Sequence, residues 1–178
     1  MTASRHHHSA GKKNIADESG QALLEFLIIL PLTLVLVFGL IDFGRALSCL
    51  EVISELTRQG SNLASRGTNL SDSAAAVVAG DAPLDLSKNG EVIVTAVTNI
   101  NQVNKITGQV SQGGILSISK IGQGVGKQAT VPPAAATMLQ PGQTIYVTEV
   151  FYSFQAITPI GNLLNMVMPS TLYEVAYF

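Results

Sequence analysis

One acidic side chain stands alone in a long apolar stretch of this sequence, and its position suggests a specific chemistry. The stretch, residues 22–41, reads ALLEFLIILPLTLVLVFGLI, and Glu25 is its only ionisable residue. Placing a charged carboxylate in lipid costs roughly 2.5–3.5 kcal/mol, so such residues usually meet a partner. The alternative is that Glu25 lies one helical turn from the boundary and extends its side chain to water.

Cleavage of the chain directly before this stretch would create such a partner. If the chain is cut after Gly20, Gln21 carries a new α-ammonium group and Glu25 becomes the fifth residue of the product. Positions one and five of a helix lie on the same face. A neighbouring copy, shifted along the membrane, would then place its ammonium group against Glu25. This pair would neutralise two charges in lipid and fix the axial register between subunits.

Residues that serve in catalysis or metal binding are scarce. The histidines are His6, His7 and His8, and the one cysteine is Cys49, so the body of the chain has no Ser–His or Cys–His pair and no zinc spacing. The stretch 122–127, GQGVGK, matches neither phosphate-binding glycine pattern, and we predict a turn there. We therefore expect a protein that is not an enzyme and holds no metal or cofactor.

The composition excludes several other classes of protein. Of 178 residues, 47% are hydrophobic and 12% are charged, about half the usual charged share. So few charges argue against a disordered chain and an ordinary cytosolic enzyme. The net charge is −2, without a basic stripe in the body of the chain, so we expect no nucleic-acid partner.

The apolar stretch has the length of one membrane crossing. A helix spans a hydrocarbon core of roughly 30 Å in about 20 residues, and residues 22–41 are apolar on every side. Pro31 removes one backbone hydrogen bond inside it. The stretch is longer than the core of a secretory signal peptide, and no small-x-small cleavage site follows it. The sequence predicts a single transmembrane helix in contact with membrane lipid.

The flanking charges predict the orientation of this helix. Arg5, Lys12 and Lys13 precede it, whereas the flank after it mixes acidic and basic residues. The positive-inside bias therefore puts the N-terminus in the cytoplasm and the larger part of the chain outside. Asp42 and Arg45 stand three apart at the membrane exit, where we expect an exposed ion pair of little energetic value.

The remaining chain predicts an α+β domain. Apolar residues at spacings of three extend the first helix to about Ser65, where Gly67 ends it. A short helix capped by Ser71 or Asp72 should run to Ala79. Cys49 should pack in the helix face, with an intermolecular disulfide as the alternative. Strands are expected at 90–100, 115–121 and 143–154, with a loop at 131–142, so that the outer half of the helix packs on an antiparallel sheet.

The segment SGQALLEFLIILPLTLVLVFGLIDFGRAL resembles the TadE-like minor pilins, or pseudopilins, of the tight-adherence (Flp) pilus system, within the type IV prepilin-like class. The shared features are Gly20 before a small residue, Glu25-Phe26, the Leu30-Pro31 step and the exit Asp42-Phe43-Gly44-Arg45. The stretch YVTEVFYSFQAITPIGNLL is similar more weakly, and an arginine common near the end of such proteins is absent from TLYEVAYF.

The resemblance implies a cytoplasmic leader over residues 1–20, a transmembrane helix and stalk over 21–66 and an extracytoplasmic, pilin-like domain over 67–178. Cleavage would fall between Gly20 and Gln21. The implied location is the bacterial inner membrane or the pilus. The implied partners are prepilin peptidase, other minor pilins, the major Flp pilin and the inner-membrane assembly platform. The alternative function is that of an uncleaved single-pass envelope protein whose outer domain binds or scaffolds a partner.

Overall fold

The computed structural model describes residues 15–161 and 169–178. The first element is a long helix, and three short helices and four strands follow it. In chain order they are α1 Ile15–Ser65, α2 Leu70–Ala79, α3 Leu86–Asn89, β1 Gly90–Ile100, β2 Val103–Gly113, α4 Pro133–Met138, β3 Thr144–Ser153 and β4 Thr171–Tyr177. The protein is an α+β protein with a long N-terminal apolar helix and a four-stranded antiparallel sheet.

Helix α1 is continuous through the apolar stretch and onward to the sheet, with Pro31 inside it. It ends as predicted from the glycine: Gly67 has a φ of 93°, a left-handed conformation that glycine adopts without steric cost. The amide of Thr68 donates to the carbonyl of Leu63 at 3.2 Å, which satisfies one of the last helical carbonyls. The predicted end near Ser65 is therefore confirmed.

The short second helix is confirmed, but its predicted cap is wrong. Asn69, rather than Ser71 or Asp72, precedes α2, and its side chain accepts a hydrogen bond from the amide of Asp72 at 2.8 Å. An asparagine side chain at this position satisfies one of the free amides of the first turn. Gly80 follows the helix and donates to the carbonyl of Ala76 at 3.0 Å.

The sheet has the order β2-β1-β3-β4, and every neighbouring pair is antiparallel. The predicted strands at 90–100 and 143–154 are confirmed as β1 and β3. The strand expected at 115–121 is wrong, because this stretch lies outside the ladder. The two edge strands, β2 and β4, were not predicted. The loop expected at 131–142 contains the short helix α4.

The two faces of the sheet are covered by different parts of the chain. One face packs against α1 and α2, and its buried residues include Val92, Val94, Val150 and Leu172. The other face is covered by residues 114–131, which we call the strap. Buried residues between the strap and the sheet include Val97, Ile106, Ile121, Ala129 and Val147. Alternate residues of each strand point to opposite faces, so the central strands bury side chains on both faces. The sheet domain is thus three layers thick.

Candidate functional site

The proposed processing step lies on the exposed surface of α1. Gly20 and Gln21 are both exposed and helical, and no atom outside the local helix backbone lies within 4 Å of where a side chain on Gly20 would begin. The basic residues Arg5, Lys12 and Lys13 and the histidines His6, His7 and His8 lie outside the described residues.

Glu25 has a hydrogen-bond partner on its own helix. The side-chain amide of Gln21 donates to its Oε1 at 3.1 Å, across one helical turn. Phe26 beside it is 58% exposed. The spacing therefore brings the carboxylate onto the same face as the residue that cleavage would leave at the front of the chain. In the intact chain, the amide side chain of Gln21 supplies the contact.

The apolar half of α1 has no packing partner among the described residues. An 18-residue window of this helix has a mean hydropathy of 2.7, and none of it is buried. Exposing such a surface to water is unfavourable by roughly 25 cal/mol per Å². A bilayer, or a layer of neighbouring helices, removes that cost. The helix is typical of a membrane anchor.

Asp42, the first residue after the apolar stretch, is fully buried at 0% exposure. Its carboxylate accepts hydrogen bonds from the amide of Ile157 at 3.0 Å, the amide of Thr158 at 3.3 Å and the hydroxyl of Thr158. Burial disfavours the ionised form most strongly, but these bonds and the charge of Arg45 outweigh it, so the pKa of Asp42 lies below its ordinary value. Asp42 therefore attaches the helix to the segment after β3.

The predicted ion pair of Asp42 with Arg45 is present, at 3.8 Å. The expectation that it is exposed is wrong for Asp42, because the segment after β3 covers the carboxylate. Arg45 itself is 41% exposed, donates to the carbonyl of Gln155 at 3.3 Å and lies 5.7 Å from the centre of the Phe154 ring. Asp42 and Arg45 thus both contact the segment that follows β3.

This attachment predicts a pH dependence of stability. A carboxylate whose pKa is lowered by folding stabilises the folded state above its ordinary pKa of 3.8 and loses that contribution as the pH falls through the folded value. We expect Asp42→Asn to lower the free energy of unfolding at neutral pH by about 2 kcal/mol. The difference from the unsubstituted chain should shrink in acid. Denaturant unfolding of the full chain in detergent micelles, followed by tyrosine fluorescence, measures both values.

Asp85→Asn is the matched control for this measurement. Asp85 pairs with Lys88 at 2.8 Å, but the pair is exposed, and exposed pairs contribute little. Its replacement should leave the free energy of unfolding nearly unchanged at both pH values. A loss for Asp42→Asn that persists undiminished in acid would contradict the role of the ionised carboxylate.

Two further buried carboxylates lie beneath the strap. Glu149, on β3, is 0% exposed and accepts hydrogen bonds from the amide of Lys120 at 2.8 Å, the hydroxyl of Tyr173 at 3.0 Å and the hydroxyl of Ser119. Glu91, on β1, is also buried and accepts a hydrogen bond from the amide of Ser117 in the strap. The carboxylates therefore supply acceptors that a paired strand would otherwise provide.

A small polar cavity of about 180 Å³ opens beside Glu91. Its lining comprises Glu91, Ile93, Gln109, Ser111, Ser117, Ser119 and Gln123. The Glu91 carboxylate is engaged by the amide of Ser117, and the Gln109 amide by the carbonyl of Gly122 at 2.9 Å. These groups have structural partners, and within residues 15–161 and 169–178 no three His, Cys, Asp or Glu side chains gather as metal ligands would.

The predicted turn at 122–127 lies within the strap. The amide of Gly124 donates to the Gln109 side chain at 3.1 Å, and the amide of Gly126 donates to the carbonyl of Ile106 at 2.7 Å. A phosphate-binding loop needs its amides directed at the ligand. These two amides instead fasten the strap to β2.

Cys49 is half-buried on α1 and packs against the main core, as expected for a cysteine in the helix face. Burial raises the pKa of its thiol above the ordinary value, against a smaller opposing effect of the Arg45 charge. A raised pKa lowers the thiolate fraction and with it the reactivity of the sulfur.

Sequence reasoning missed the contacts of Asp42 and Glu149 with distant segments. Each had a visible signal: Asp42 directly follows an apolar helix, and Glu149 is the one charged residue of the strand YVTEVFY. A carboxylate in an apolar strand is expensive to bury without hydrogen bonds, so it indicates a covering segment that supplies donors.

One known protein family matches the N-terminal part of the chain. No curated protein and no solved structure matches the chain significantly. Residues 20–61, which include Gly20, Gln21, Glu25, Phe26, Asp42 and Arg45, match the family described as TadE-like protein. The match begins at the glycine of the proposed processing step and covers the apolar stretch and most of the stalk. The chain therefore carries a TadE-like helical segment, and the predicted resemblance to TadE-like proteins is confirmed over residues 20–61.

Proposed function

We propose that the chain is the precursor of a minor pilin or pseudopilin of a tight-adherence pilus. Prepilin peptidase cleaves it after Gly20, and the product joins pilus assembly through its apolar helix. The observation that carries this proposal is the position of Glu25. It is the one carboxylate of the apolar stretch 22–41, and it lies just over one turn after the TadE-like segment begins.

Cleavage changes the chemistry available to Glu25. In the intact chain its partner is the neutral side-chain amide of Gln21. The cleaved chain adds an α-ammonium group at Gln21, which a staggered neighbouring subunit presents to the carboxylate. A charged donor makes a stronger hydrogen bond to a carboxylate than a neutral amide does, and the attraction between opposite charges grows where water is excluded. The pair therefore favours one axial offset between helices.

The proposed location is the bacterial inner membrane, with the N-terminus in the cytoplasm and the sheet domain outside. Beyond the peptidase, the partners proposed from the family are other minor pilins, the major Flp pilin and the inner-membrane assembly platform. The chain would contact them through the exposed apolar face of α1 within the membrane and through the sheet domain outside it. No enzymatic step is proposed for the chain itself.

The first test is the intact mass of the protein purified from its native membrane. The proposal expects a chain that begins at Gln21. A product that retains residues 1–20 would contradict it. Replacing Gly20 with leucine should block cleavage, whereas Gly20→Ala should weaken it only mildly, because the peptidase pocket for glycine excludes large side chains. The folded chain has room for a side chain at Gly20, so lost cleavage would report on the peptidase.

The second test separates assembly from cleavage. Glu25→Ala should be cleaved normally yet reduce piliation strongly, because the subunit loses the acceptor for the neighbouring ammonium group. Glu51→Ala is the control, since Glu51 is an exposed carboxylate of the same helix beyond the apolar stretch. Normal piliation with Glu25→Ala, in a strain that needs this protein, would refute the charge pairing.

The alternative is an uncleaved envelope protein whose outer domain binds a partner. The Gln21–Glu25 hydrogen bond favours it, because the carboxylate already has a contact in the intact chain. Under this alternative the purified protein keeps residues 1–20, and Glu25→Ala leaves piliation unchanged.

A further inference from the structure

We propose that the turn formed by residues 155–160, directly after β3, lies in the lipid headgroup layer and inserts the side chain of Ile157 into the bilayer. We call it the membrane-proximal turn. The sheet domain would then have a second contact with the membrane besides α1. This inference rests on the membrane anchoring of the proposed function.

The hydrogen bonds of Asp42 fix the height of this turn. Residues 22–41 fill the hydrocarbon core, so Asp42 lies at its outer boundary. Its carboxylate accepts hydrogen bonds from the backbone amides of Ile157 and Thr158, and both residues belong to the turn. The backbone of Ile157 therefore lies within one hydrogen-bond length of a carboxylate at the lipid boundary.

Arg45 holds the beginning of the turn at nearly the same height. It stands four residues after Ile41, about 6 Å along the helix axis. The headgroup layer on each side of a bilayer is roughly 5–8 Å deep. The guanidinium of Arg45 contacts the carbonyl of Gln155, which places the first residue of the turn in that layer. Both residues of this contact, Arg45 and Gln155, thus lie at the level of the headgroups.

The exposed chemistry of the turn suits lipid. Ile157 is 67% exposed although its backbone is fastened, so the protein presents the side chain without covering it. Pro159 is also exposed. On α1, Ile41 is 44% and Phe43 is 49% exposed, which continues the apolar surface from the membrane-spanning helix towards the turn. A single exposed apolar residue is ordinary elsewhere, but here it adjoins a surface already assigned to lipid.

Tryptophan fluorescence can test this placement directly, because the chain contains no tryptophan. Three single-tryptophan variants of the full chain form a matched set: Ile157→Trp, Leu36→Trp and Val125→Trp replace side chains that are 67%, 66% and 66% exposed. Leu36 lies within the apolar stretch. Val125 lies in the strap. The amide of the next residue, Gly126, donates to the carbonyl of Ile106, which lies near the end of β2 farthest from Asp42.

The variants are reconstituted into vesicles of phosphatidylethanolamine and phosphatidylglycerol whose acyl chains carry bromine, close to the headgroup for Ile157→Trp and deeper in the chain for Leu36→Trp, with Val125→Trp measured in both. Bromine quenches tryptophan only in near contact. We expect Ile157→Trp and Leu36→Trp to be quenched several-fold more than Val125→Trp. The emission of Ile157→Trp should also be shifted to shorter wavelength relative to Val125→Trp.

Each contrary outcome identifies a different failure. If Leu36→Trp is quenched while Ile157→Trp behaves like Val125→Trp, the turn does not reach lipid and the inference is overturned, with the anchor intact. If Leu36→Trp is not quenched, the anchor itself fails. If Ile157→Trp is shielded from a soluble quencher such as acrylamide but not quenched by bromine, a second copy of the protein covers the turn, and the lipid assignment is wrong.

Discussion

Replacing Glu149 with alanine is expected to detach the strap from the sheet and to lower the free energy of unfolding by about 3 kcal/mol. The hydroxyls of Ser119 and Tyr173 and the amide of Lys120 all lose their common acceptor in the interior. Unfolding of the full chain in detergent, followed by tyrosine fluorescence, measures the loss. The probe suits this region because the four tyrosines lie on β3 and β4.

A second readout separates lost hydrogen bonds from a general loss of packing. Burial, the charge of Glu149 and the hydrogen bond to it raise the pKa of Tyr173 far above its ordinary value. In Glu149→Ala, the absorbance change that accompanies ionisation of the Tyr173 hydroxyl should therefore occur at lower pH. Glu149→Gln keeps an acceptor and should lose less stability, and Glu51→Ala should lose almost none. Unchanged stability of Glu149→Ala would contradict the role given to the carboxylate.

Replacing Gly60 with valine is expected to separate α1 from the sheet, at a cost of about 3 kcal/mol. A Cβ at Gly60 would lie 2.8 Å from the Thr148 hydroxyl and 2.8 Å from a methyl carbon of Val77. Three elements meet here, since Thr148 belongs to β3 and Val77 to α2. None can withdraw without opening the core, so the added side chain must displace the helix.

Gly44→Ala supplies the control on the same helix. Gly44 has no atom within 4 Å of a new Cβ, apart from the local helix backbone, so alanine meets no obstacle there. Alanine also favours helix over glycine by up to about 1 kcal/mol. The free energy of unfolding should thus hold or rise for Gly44→Ala and fall for Gly60→Val. Equal stabilities would show that the close approach at Gly60 is not needed.

The parts of the fold that follow from local chemistry were predictable. Helix α1 follows from an unbroken apolar stretch and a terminating glycine, and β1 and β3 follow from β-branched and aromatic residues. These segments are either buried on both sides or, in the apolar half of α1, apolar on every side, so their composition reports their environment directly. The α+β class and the antiparallel sheet followed from their order.

The edge strands and the strap were hidden because long-range contacts decide them. β2 reads VNKITGQVSQG, a polar sequence that is a strand because β1 offers a partner edge. The segment ILSISKI alternates as a strand would, yet two of its backbone amides donate to the carboxylates of Glu91 and Glu149 on the sheet. Pairing and side-chain acceptors override propensity where the two compete.

The candidate site shows the same division. Glu25 and the Gly20–Gln21 step were visible because they interrupt or border an apolar helix. The partners of Asp42 lie 115 and 116 residues further along the chain, so no local pattern could supply them. Only the packing of α1 against the end of β3 brings them together.

Because α1 is one continuous helix, the direction in which Glu25 points is coupled to the orientation of the sheet domain. Each residue turns a helix by about 100° and advances it by about 1.5 Å. One residue inserted between Glu25 and Asp42 would rotate the carboxylate away from its former azimuth relative to the sheet, whereas an insertion of about seven residues, close to two turns, would restore it. Under the proposed pairing of Glu25 with a neighbouring subunit, the spacing between these two acids therefore sets which side of the sheet domain faces that subunit.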